Sequence, residues 1–374
     1  MTTPLLAPGD QPTKTAPYEL LWYGCDLATG GIIEDLPSLR PTAPLTRRLG
    51  AHVSLGFELA LGGAPAGWEA ATAQGRTLLV AVDPVIDQPI WAGQVLTRDG
   101  GSQHSVTLGA ATLEAYLERR FTGDQQHIQQ DQATIAAALM AAPLTQGPPF
   151  VMDAPPTGVL MDLSLADGDD RTVLSALQEL MGMDGGPEWT IDVAWASDAH
   201  TGFVLPVRVR PAIGTQSATP EATFDYPGAI TTYNLGESYE NGRGATVVQA
   251  RGEGEGDSRL SSAAIIATDL EAGGWPRYVH RFTPASGVTD PDQLTAHARK
   301  ALDLMATGAQ VWTCEAVASQ APRLGRDWVL GDSVRICIER SPRHPDGAEV
   351  VARAWSWELD PAADRLTPVL VQED

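Results

Sequence analysis

Residues 53–61 read VSLGFELAL, and this stretch decides the fold class because large apolar residues occupy every second position. A period of two is typical of a half-buried β-strand, whose successive side chains point to opposite faces. The flanking sequence has the same texture and predicts further strands at 18–24, 76–82, 89–98 and 103–108. A helix is predicted from Ala111 to Arg120. Strands followed by a single helix indicate an antiparallel β unit and not an alternating βαβ array.

The middle of the chain mixes helical and extended patterns. A helix is predicted over Gln132–Ala142, ahead of a Pro-rich loop, and Asp170 is predicted to cap a second helix. The segment GGPEWTIDVAW at 185–195 alternates again, with Trp189 and Trp195 on one face, and predicts one strand.

The last third returns to β patterns. Strands are predicted at 230–235, 245–250, 309–319, 328–339 and 349–359. One helix interrupts them, with Asp290 as N-cap, Pro291 as its first residue and Gly308 at its end. Its predicted buried stripe consists of Leu294, Ala298, Ala301 and Met305. The first and last thirds are therefore alike in kind, which predicts a mainly β fold with two similar units around a mixed α+β insertion.

Charge narrows the possible functions. The chain has 47 acidic and 25 basic residues and a formal net charge of −22. Phosphate contacts require clustered Lys and Arg, so specific binding to nucleic acid or to an anionic membrane is not expected. The N-terminus lacks a basic start followed by an apolar stretch, and no run of 18 apolar residues occurs, so neither a signal peptide nor a membrane anchor is expected.

The glycine-rich segment Gly252–Gly256, GEGEG, does not have the features of a nucleotide-binding loop. A dinucleotide site needs G-x-G-x-x-G between a strand and a helix, whereas here the spacing is G-x-G-x-G and the intervening residues are glutamates. Carboxylates would face the phosphates, and no Lys follows to complete a P-loop. We expect a flexible turn that leaves a strand.

Motifs for catalysis or metal binding are equally absent from the sequence. G-x-S-x-G and H-E-x-x-H do not occur. His127 is interpreted as a solvated helical residue, and Asp167–Asp170 as a helix-capping turn because a calcium loop requires a different spacing. Cys25, Cys314 and Cys337 fall inside predicted strands without paired spacing, which favours partly buried apolar residues. The sequence therefore predicts no catalytic, cofactor-binding or metal-binding residues and a protein that is not an enzyme.

Several segments resemble one protein family. They are ELLWYGCDLATGGIIEDLPSLRPTAPLTRRLGAHVSLGFELAL at 19–61, VTLGAATLEAYLERRF at 106–121, GPEWTIDVAW at 186–195, ATVVQARGEGEG at 245–256 and LGDSVRICI at 330–338. Together the chain resembles the hub-type minor tail proteins of long-tailed (siphovirus) phages that infect actinobacteria, relatives of phage baseplate hub proteins.

The resemblance implies a specific architecture. It consists of two tube-like antiparallel β-barrel hub domains, each with one helix, that flank a mixed middle domain. The implied division is an extended N-terminal arm at 1–17, a first hub domain at 18–125, an inserted domain at 126–235 and a second hub domain at 236–374.

The resemblance also implies a location in the virion and a set of partner proteins. The protein would be a homotrimer at the distal end of the virion tail, assembled in the host cytoplasm, and would join the six-fold tail tube to three-fold host-recognition proteins. Its partners would be the distal tail protein ring or tail tube, the tape measure protein and downstream tail tip or receptor-binding proteins, with DNA only in transit. Two alternatives remain open: a tail-associated cell-wall hydrolase, and a carbohydrate-binding tail module that uses Trp275 or Trp312.

Overall fold

The computed structural model describes residues 18–183, 185–252, 259–284 and 291–371. The predicted arm at 1–17, the predicted cap Asp290 and residues 253–258 of the glycine-rich turn lie outside this part of the chain. The first third forms eight strands: β1 Leu21–Asp26, β2 Ile32–Asp35, β3 Leu39–Pro41, β4 Leu45–Arg48, β5 Ser54–Ala60, β6 Thr77–Asp83, β7 Gln88–Asp99 and β8 Ser105–Thr112. A short helix, α1 (Trp68–Ala71), precedes β6, and 3₁₀ turns span Leu61–Gly63 and Leu113–Arg119.

The first sheet joins seven of these strands in the order β2-β1-β6-β7-β8-β5-β3, and all of its pairs are antiparallel. The stretch at 53–61 is confirmed as a strand, because Leu55, Phe57 and Leu59 of β5 are buried while Ser54 and Glu58 are exposed. Strand β6 is buried at all seven positions. The first sheet is therefore covered on both faces along its middle.

The middle of the chain forms a mixed unit. Its elements are β9 Gln125–Asp131, α2 Gln132–Leu139, α3 Ala141–Gln146, β10 Phe150–Asp153, β11 Leu160–Leu165, a 3₁₀ turn at Asp167–Asp169, α4 Val173–Gly182, β12 Glu188–Ile191, β13 Ala194–Trp195 and β14 Phe203–Arg210. Strand β14 pairs with β10, β12 and β13, and β9 pairs with β11.

The last third forms β15 Thr223–Tyr226, β16 Ile230–Ser238, β17 Val247–Ala250, β18 Ile265–Ile266, α5 Thr268–Ala272, β19 Val279–Phe282, α6 Pro291–Met305, β20 Ala309–Val317, β21 Ser333–Ile338, β22 Ala348–Asp360 and β23 Arg365–Val371. The second sheet has the order β15-β21-β22-β23-β20-β16, and β4 pairs with the far half of β22. Its first strand begins at Thr223, ahead of the predicted domain start at 236.

The two large sheets repeat one strand order. In the first sheet β1 is followed by β6, β7, β8, β5 and β3, and in the second β15 is followed by β21, β22, β23, β20 and β16. In each sheet, the strand that comes first in the sequence therefore lies beside a meander of three consecutive strands. The two strands that fall between them in the sequence complete the sheet on the far side of the meander. The sheets differ in that β2 adds an edge strand next to β1, and that β15 is parallel to β21 whereas β1 is antiparallel to β6.

The fold class is confirmed: the chain is mainly β, with two curled sheets and a mixed insertion. Among the described residues neither sheet closes on itself, so each is a half-barrel. The edge pair β15·β21 is parallel and not antiparallel as predicted, because β15 enters from the middle unit and not through a hairpin.

A second insertion was not predicted. Strands β16 and β20 are paired neighbours, with Ser238 opposite Ala309, yet β17, β18, α5, β19 and α6 lie between them in sequence. Helix α6 packs on β17 through Leu294, Ala298 and Leu302, which form a small separate core with Ala245, Val248 and Ala250. The predicted helix bounds and the end at Gly308, whose φ is +80°, are confirmed.

Two larger cores hold the rest together. One contains residues of both sheets, including Trp22, Phe57 and Trp91 from the first and Phe224 and Trp357 from the second. The other lies between the opposite face of the first sheet and the middle unit, and includes Cys25, Leu78, Val80, Leu177 and Phe203. The first sheet is therefore the central layer of the molecule.

Four local predictions were wrong in detail. Strand β8 continues to Thr112, which pairs with Gly93, so the predicted helix at 111–120 is a 3₁₀ helix that starts at Leu113. The predicted helix Gln132–Ala142 breaks at Met140, because Pro143 has no N–H to continue the hydrogen-bond series.

The predicted cap Asp170 lies in the left-handed region with φ of 49°, and the N-cap of α4 is Thr172, whose Oγ1 accepts from Ser175 N at 3.1 Å. The predicted strand at 185–195 is split into β12 and β13. The split lies opposite Pro206 of β14, which cannot donate to the ladder.

Candidate functional site

An open cleft of about 1380 Å³ lies at the edge of the second sheet. Its walls are β15, the ends of β21 and β22, and the loop between β20 and β21. This volume exceeds the roughly 300–1,000 Å³ of typical small-molecule sites, so the cleft can receive a polypeptide segment. Among its charged lining residues, one is basic, Arg326, and six are acidic: Glu221, Asp225, Asp327, Glu339, Asp346 and Glu349.

The edge of β15 borders this cleft. Arg335 N donates to Ala222 O at 2.9 Å and Glu339 N donates to Tyr226 O at 2.8 Å, which fixes the side that pairs with β21. Since hydrogen-bonding directions alternate along a strand, the backbone groups of Thr223 and Asp225 point away from β21. Within the residues that the structure describes, no strand pairs with this outer side.

The environment of the cleft raises the pKa of two groups that line it. Partial burial raises the pKa of Asp225. Burial also raises the pKa of the Cys337 thiol, and the neighbouring Asp225 and Glu349 carboxylates add to the rise. Glu349 pairs with Arg335 at 3.1 Å, and Asp327 with Arg326 at 2.8 Å. Negative charge therefore remains in excess, which favours a cationic occupant over an anionic one.

A group of hydroxyl and imidazole side chains joins Tyr233 of β16 to Ser341 and His344 in the hairpin turn after β21. Tyr233 Oη contacts Ser341 Oγ and lies 2.7 Å from His344 Nδ1, while the His344 backbone N donates to Ser341 Oγ at 3.0 Å. A serine nucleophile needs a base within reach of its hydroxyl. Here the imidazole contacts the tyrosine, so the group fixes the turn and does not form a nucleophile–base pair.

The cysteines lie in strands, as predicted. Cys25 in β1 and Cys314 in β20 are fully buried, and burial raises the pKa of both thiols to about 12. A buried neutral thiol is a poor nucleophile and a poor metal ligand. Cys337 in β21 is half-buried.

Two other sequence interpretations need correction. His127 is neither helical nor solvated: it is buried in β9, with Nδ1 2.9 Å from Gln130 Oε1 and Nε2 3.0 Å from Gln125 Oε1. Residues 125–131 read QQHIQQD and have no alternation of apolar and polar residues, so no local pattern marked this strand. Trp312, one candidate for sugar binding, is only 3% exposed.

Trp275, the other candidate, is 43% exposed and lies 5.2 Å from the Tyr239 ring, which also contacts Tyr278 at 5.1 Å. In the described part of the chain no group of three or more His, Cys, Asp or Glu side chains is arranged to hold a metal ion. No described helix is long and apolar enough to cross a membrane.

Three buried arginines connect the parts of the fold, and sequence reasoning missed all of them. Arg323, in the loop that joins β20 and β21 of the second sheet, forms a bidentate pair with Asp83 of the first sheet at 2.6 and 2.7 Å, and both side chains are fully buried. Arg353 of the second sheet forms a bidentate pair with Glu188 of the middle unit at 2.8 and 2.6 Å.

The third arginine, Arg47, lies on β4, which pairs with β22 of the second sheet. Arg47 of β4 contacts Asp192 at 2.9 Å and donates to Ile191 O at 2.6 Å and Thr190 Oγ1 at 2.8 Å. Burial raises the pKa of the adjacent Glu114 carboxyl, which Arg47 offsets in part. Arg323 therefore joins the two large sheets, and Arg353 and Arg47 both contact the middle unit.

Comparison with known proteins bears on this architecture. No protein-family model matches the sequence, and no curated protein matches it. Among solved structures, the 43 kDa tail protein of prophage MuSo2 from Shewanella oneidensis aligns with a TM-score of 0.58 at 13% identity, over 95% of this chain and 98% of that one. This chain has a phage tail protein fold.

Two further tail proteins have a fold similar to that of this chain. The tail protein from Neisseria meningitidis MC58 aligns with a TM-score of 0.54 at 14% identity, over 96% of this chain and 92% of that one. Prophage tail protein gp18 from Listeria monocytogenes EGD-e aligns with a TM-score of 0.54 at 9% identity, over 95% and 94%. The similarity extends over nearly the whole length in each case, and it concerns the fold.

Proposed function

We propose that this chain is a structural subunit of a phage tail: a homotrimeric hub at the distal end of the tail tube of a long-tailed phage. The observation that carries the proposal is the repeated strand order of the two large sheets. Three copies of a chain with two such units supply six similar half-barrels, which suits contact with a six-fold tube on one side and three-fold proteins on the other.

The open sheets support the same proposal. Unpaired strand edges promote aggregation unless they are covered, and a closed ring of subunits covers edges that a monomer leaves open. The excess of negative charge suits a channel for DNA, since a wall of carboxylates offers phosphates no binding sites during ejection. The distal tail ring, the tape measure protein and the receptor-binding proteins are the proposed partners.

Mass and symmetry test the proposal. Light scattering of the purified protein should give about three times the chain mass of 39.6 kDa, and cryo-electron microscopy of the particle should show three-fold symmetry around a central channel. A monomer or dimer within the assembled tail, or six strands that do not superpose between the two sheets, would contradict it.

We also propose that the chain has no enzymatic activity. A zymogram on host cell walls should show no lysis by the wild-type protein. Ser341→Ala and His344→Ala are the informative variants, because these residues form a hydroxyl–imidazole group. Lysis by the wild-type protein that disappears in either variant, with unchanged folding, would overturn the structural role.

A further inference from the structure

The two edges of the second sheet differ in what contacts them. The turn between β21 and β22 lies against the outer side of β16, where Arg343 Nη1 donates to Leu235 O at 2.8 Å and the same guanidinium pairs with Glu237. At the other edge, the outward backbone groups of Thr223 and Asp225 in β15 meet no strand of the described chain. They border the open cleft described above, here called the acidic cleft. The β15 edge is therefore the one that can accept a further strand.

The side chains beside the β15 edge carry uncompensated negative charge. In the register of the sheet Asp225 lies opposite Cys337, and Cys337 lies opposite Glu349, so these three side chains share one face. The basic residue of the lining, Arg326, already pairs with Asp327 at 2.8 Å. Four other lining carboxylates form no ion pair with any described residue: Glu221, Asp225, Glu339 and Asp346. A cationic group placed among them would reduce their mutual repulsion.

We propose that the acidic cleft binds an extended segment of a partner protein that carries Lys or Arg and adds to the second sheet as a strand beside β15. Addition of a strand to an open sheet edge is a common recognition mode, in which backbone hydrogen bonds give affinity. The backbone N–H and C=O groups of Thr223 and Asp225 supply these bonds. The partner residue opposite Asp225 is Lys or Arg, since opposite charges attract across neighbouring strands.

Other classes of occupant match the acidic cleft less well. Nucleic acid and anionic lipid would bring phosphates against carboxylates. The described side chains include no group of three or more arranged to hold a metal ion. A helix satisfies its own backbone groups and would leave the β15 edge without hydrogen bonds. An extended cationic polypeptide satisfies both the backbone edge and the carboxylates.

A short synthetic peptide in which Lys and Thr alternate is the probe for this site. Anisotropy of the labelled peptide should show saturable binding to the full-length protein, whereas a peptide with Glu in place of each Lys should not bind. Asp225→Lys places a like charge opposite the peptide and should raise the Kd about tenfold or more. Glu58→Lys is the matched control, because Glu58 is exposed on β5 of the first sheet and lies outside the cleft. Equal weakening in the two variants would indicate unspecific charge attraction and overturn the inference.

N-methylated peptides test whether the probe binds as a strand. Successive N–H groups of a strand point to opposite edges, so methylation of every Lys nitrogen or of every Thr nitrogen removes the donors of one edge only. One of these two peptides should bind like the parent, and the other should bind about tenfold more weakly or worse. Equal affinities of the two methylated peptides would show that charge alone holds the probe, which contradicts strand addition.

Hydrogen exchange of single backbone amides locates the bound peptide. The amides of Thr223 and Asp225 should exchange about tenfold more slowly or less when the peptide saturates the protein. The amides of Phe224 and Tyr226 face β21 and serve as internal controls. The site lies within one chain, so these readouts are independent of the proposed trimer. Protection confined to other strands, or equal protection of Thr223 and Asp225 without the peptide, would show that the edge does not receive a partner and would overturn the inference.

Discussion

At the scale of single residues, buried charge pairs determine how the parts of the molecule are oriented. Arg323 and Asp83 are both fully buried and form two parallel hydrogen bonds. Removing two charges from water is expensive, so such a pair adds little net stability over apolar residues of the same shape. Its geometry is nevertheless demanding, and a wrong arrangement of the two sheets would leave both charges unpaired. We infer that the pair selects one relative orientation of the sheets.

The variant Asp83→Asn tests this inference. It leaves a buried guanidinium without its counter-charge, so the free energy of unfolding should fall by about 3–5 kcal/mol, measured by urea denaturation. The matched control is Glu237→Gln, which breaks the pair with Arg343, where both side chains are about half exposed. Surface pairs contribute little, so the control should hardly change the urea midpoint. Similar losses in the two variants would show that the buried pair has no special role.

The buried thiols predict a specific pH dependence. The pKa of Cys25 and of Cys314 is raised from 9.0 to about 12 by burial. A raised pKa in the folded state gives stability that is fully present below pH 9 and is lost as the pH rises from 9 to 12. In Cys25→Ala and Cys314→Ala the free energy of unfolding should therefore fall less steeply above pH 9, by up to about 1.4 kcal/mol per pH unit for each thiol.

Urea unfolding at several pH values between 8 and 11 measures this effect. At pH 8 each substitution should cost roughly 1–3 kcal/mol through lost packing, without any effect on assembly. Cys337→Ala is a comparison and not a blank, since the pKa of this half-buried thiol is also raised. Curves for wild type and the buried-site variants that stay parallel up to pH 11 would contradict the prediction.

At the scale of elements, the N-cap of α4 offers a clean comparison. Thr172→Ala removes the acceptor for Ser175 N and should cost about 1 kcal/mol, by thermal or urea unfolding. Asp170→Gly should cost nothing, because Asp170 has a positive φ that glycine adopts without strain. A larger loss of stability for Asp170→Gly than for Thr172→Ala would show that Asp170, the predicted N-cap, and not Thr172 caps the helix.

Elements with a strong local pattern could be predicted from the sequence. Strand β21 is an example: Val334, Ile336 and Ile338 are buried, as alternation predicts. Helix α6 is another: its terminal glycine and the buried Leu294 and Ala298 were predicted, whereas Ala301 and Met305 are only partly buried and Leu302 is buried instead. Short edge strands such as β2 and β15 were missed because four residues carry too little pattern. The mixed polarity of β14, which contains Pro206, also hides a strand that is central to the middle unit.

The acidic cleft could not be predicted for a different reason. It exists because Thr223 pairs with Arg335, more than a hundred residues later, and because the loop at 320–327 returns to the same edge. No local pattern contains that pairing. The buried arginines are hidden in the same way, since Arg323 and Asp83 acquire their environment only when the two sheets pack together.

At the scale of the whole molecule, the shared cores bear on the predicted domain division. The first sheet contributes one face to the core that it shares with the second sheet and the other face to the core that it shares with the middle unit. Strand β4 pairs with β22 of the second sheet. The predicted boundaries at 125 and 235 therefore separate segments that bury one another. Dividing the chain at either boundary would expose one face of the fully buried strand β6.

We therefore predict that the described body unfolds as one cooperative unit. Near-UV and far-UV circular dichroism should give coincident transitions, and the isolated fragment 18–125 should not fold, because both faces of its sheet would be exposed. The insertion at 239–308 provides the contrast, since it has its own small core and its ends leave from the paired residues Ser238 and Ala309. Replacing it with a two-residue turn should preserve the main transition. Two separate transitions, or a folded 18–125 fragment, would show instead that the first sheet is an independent domain.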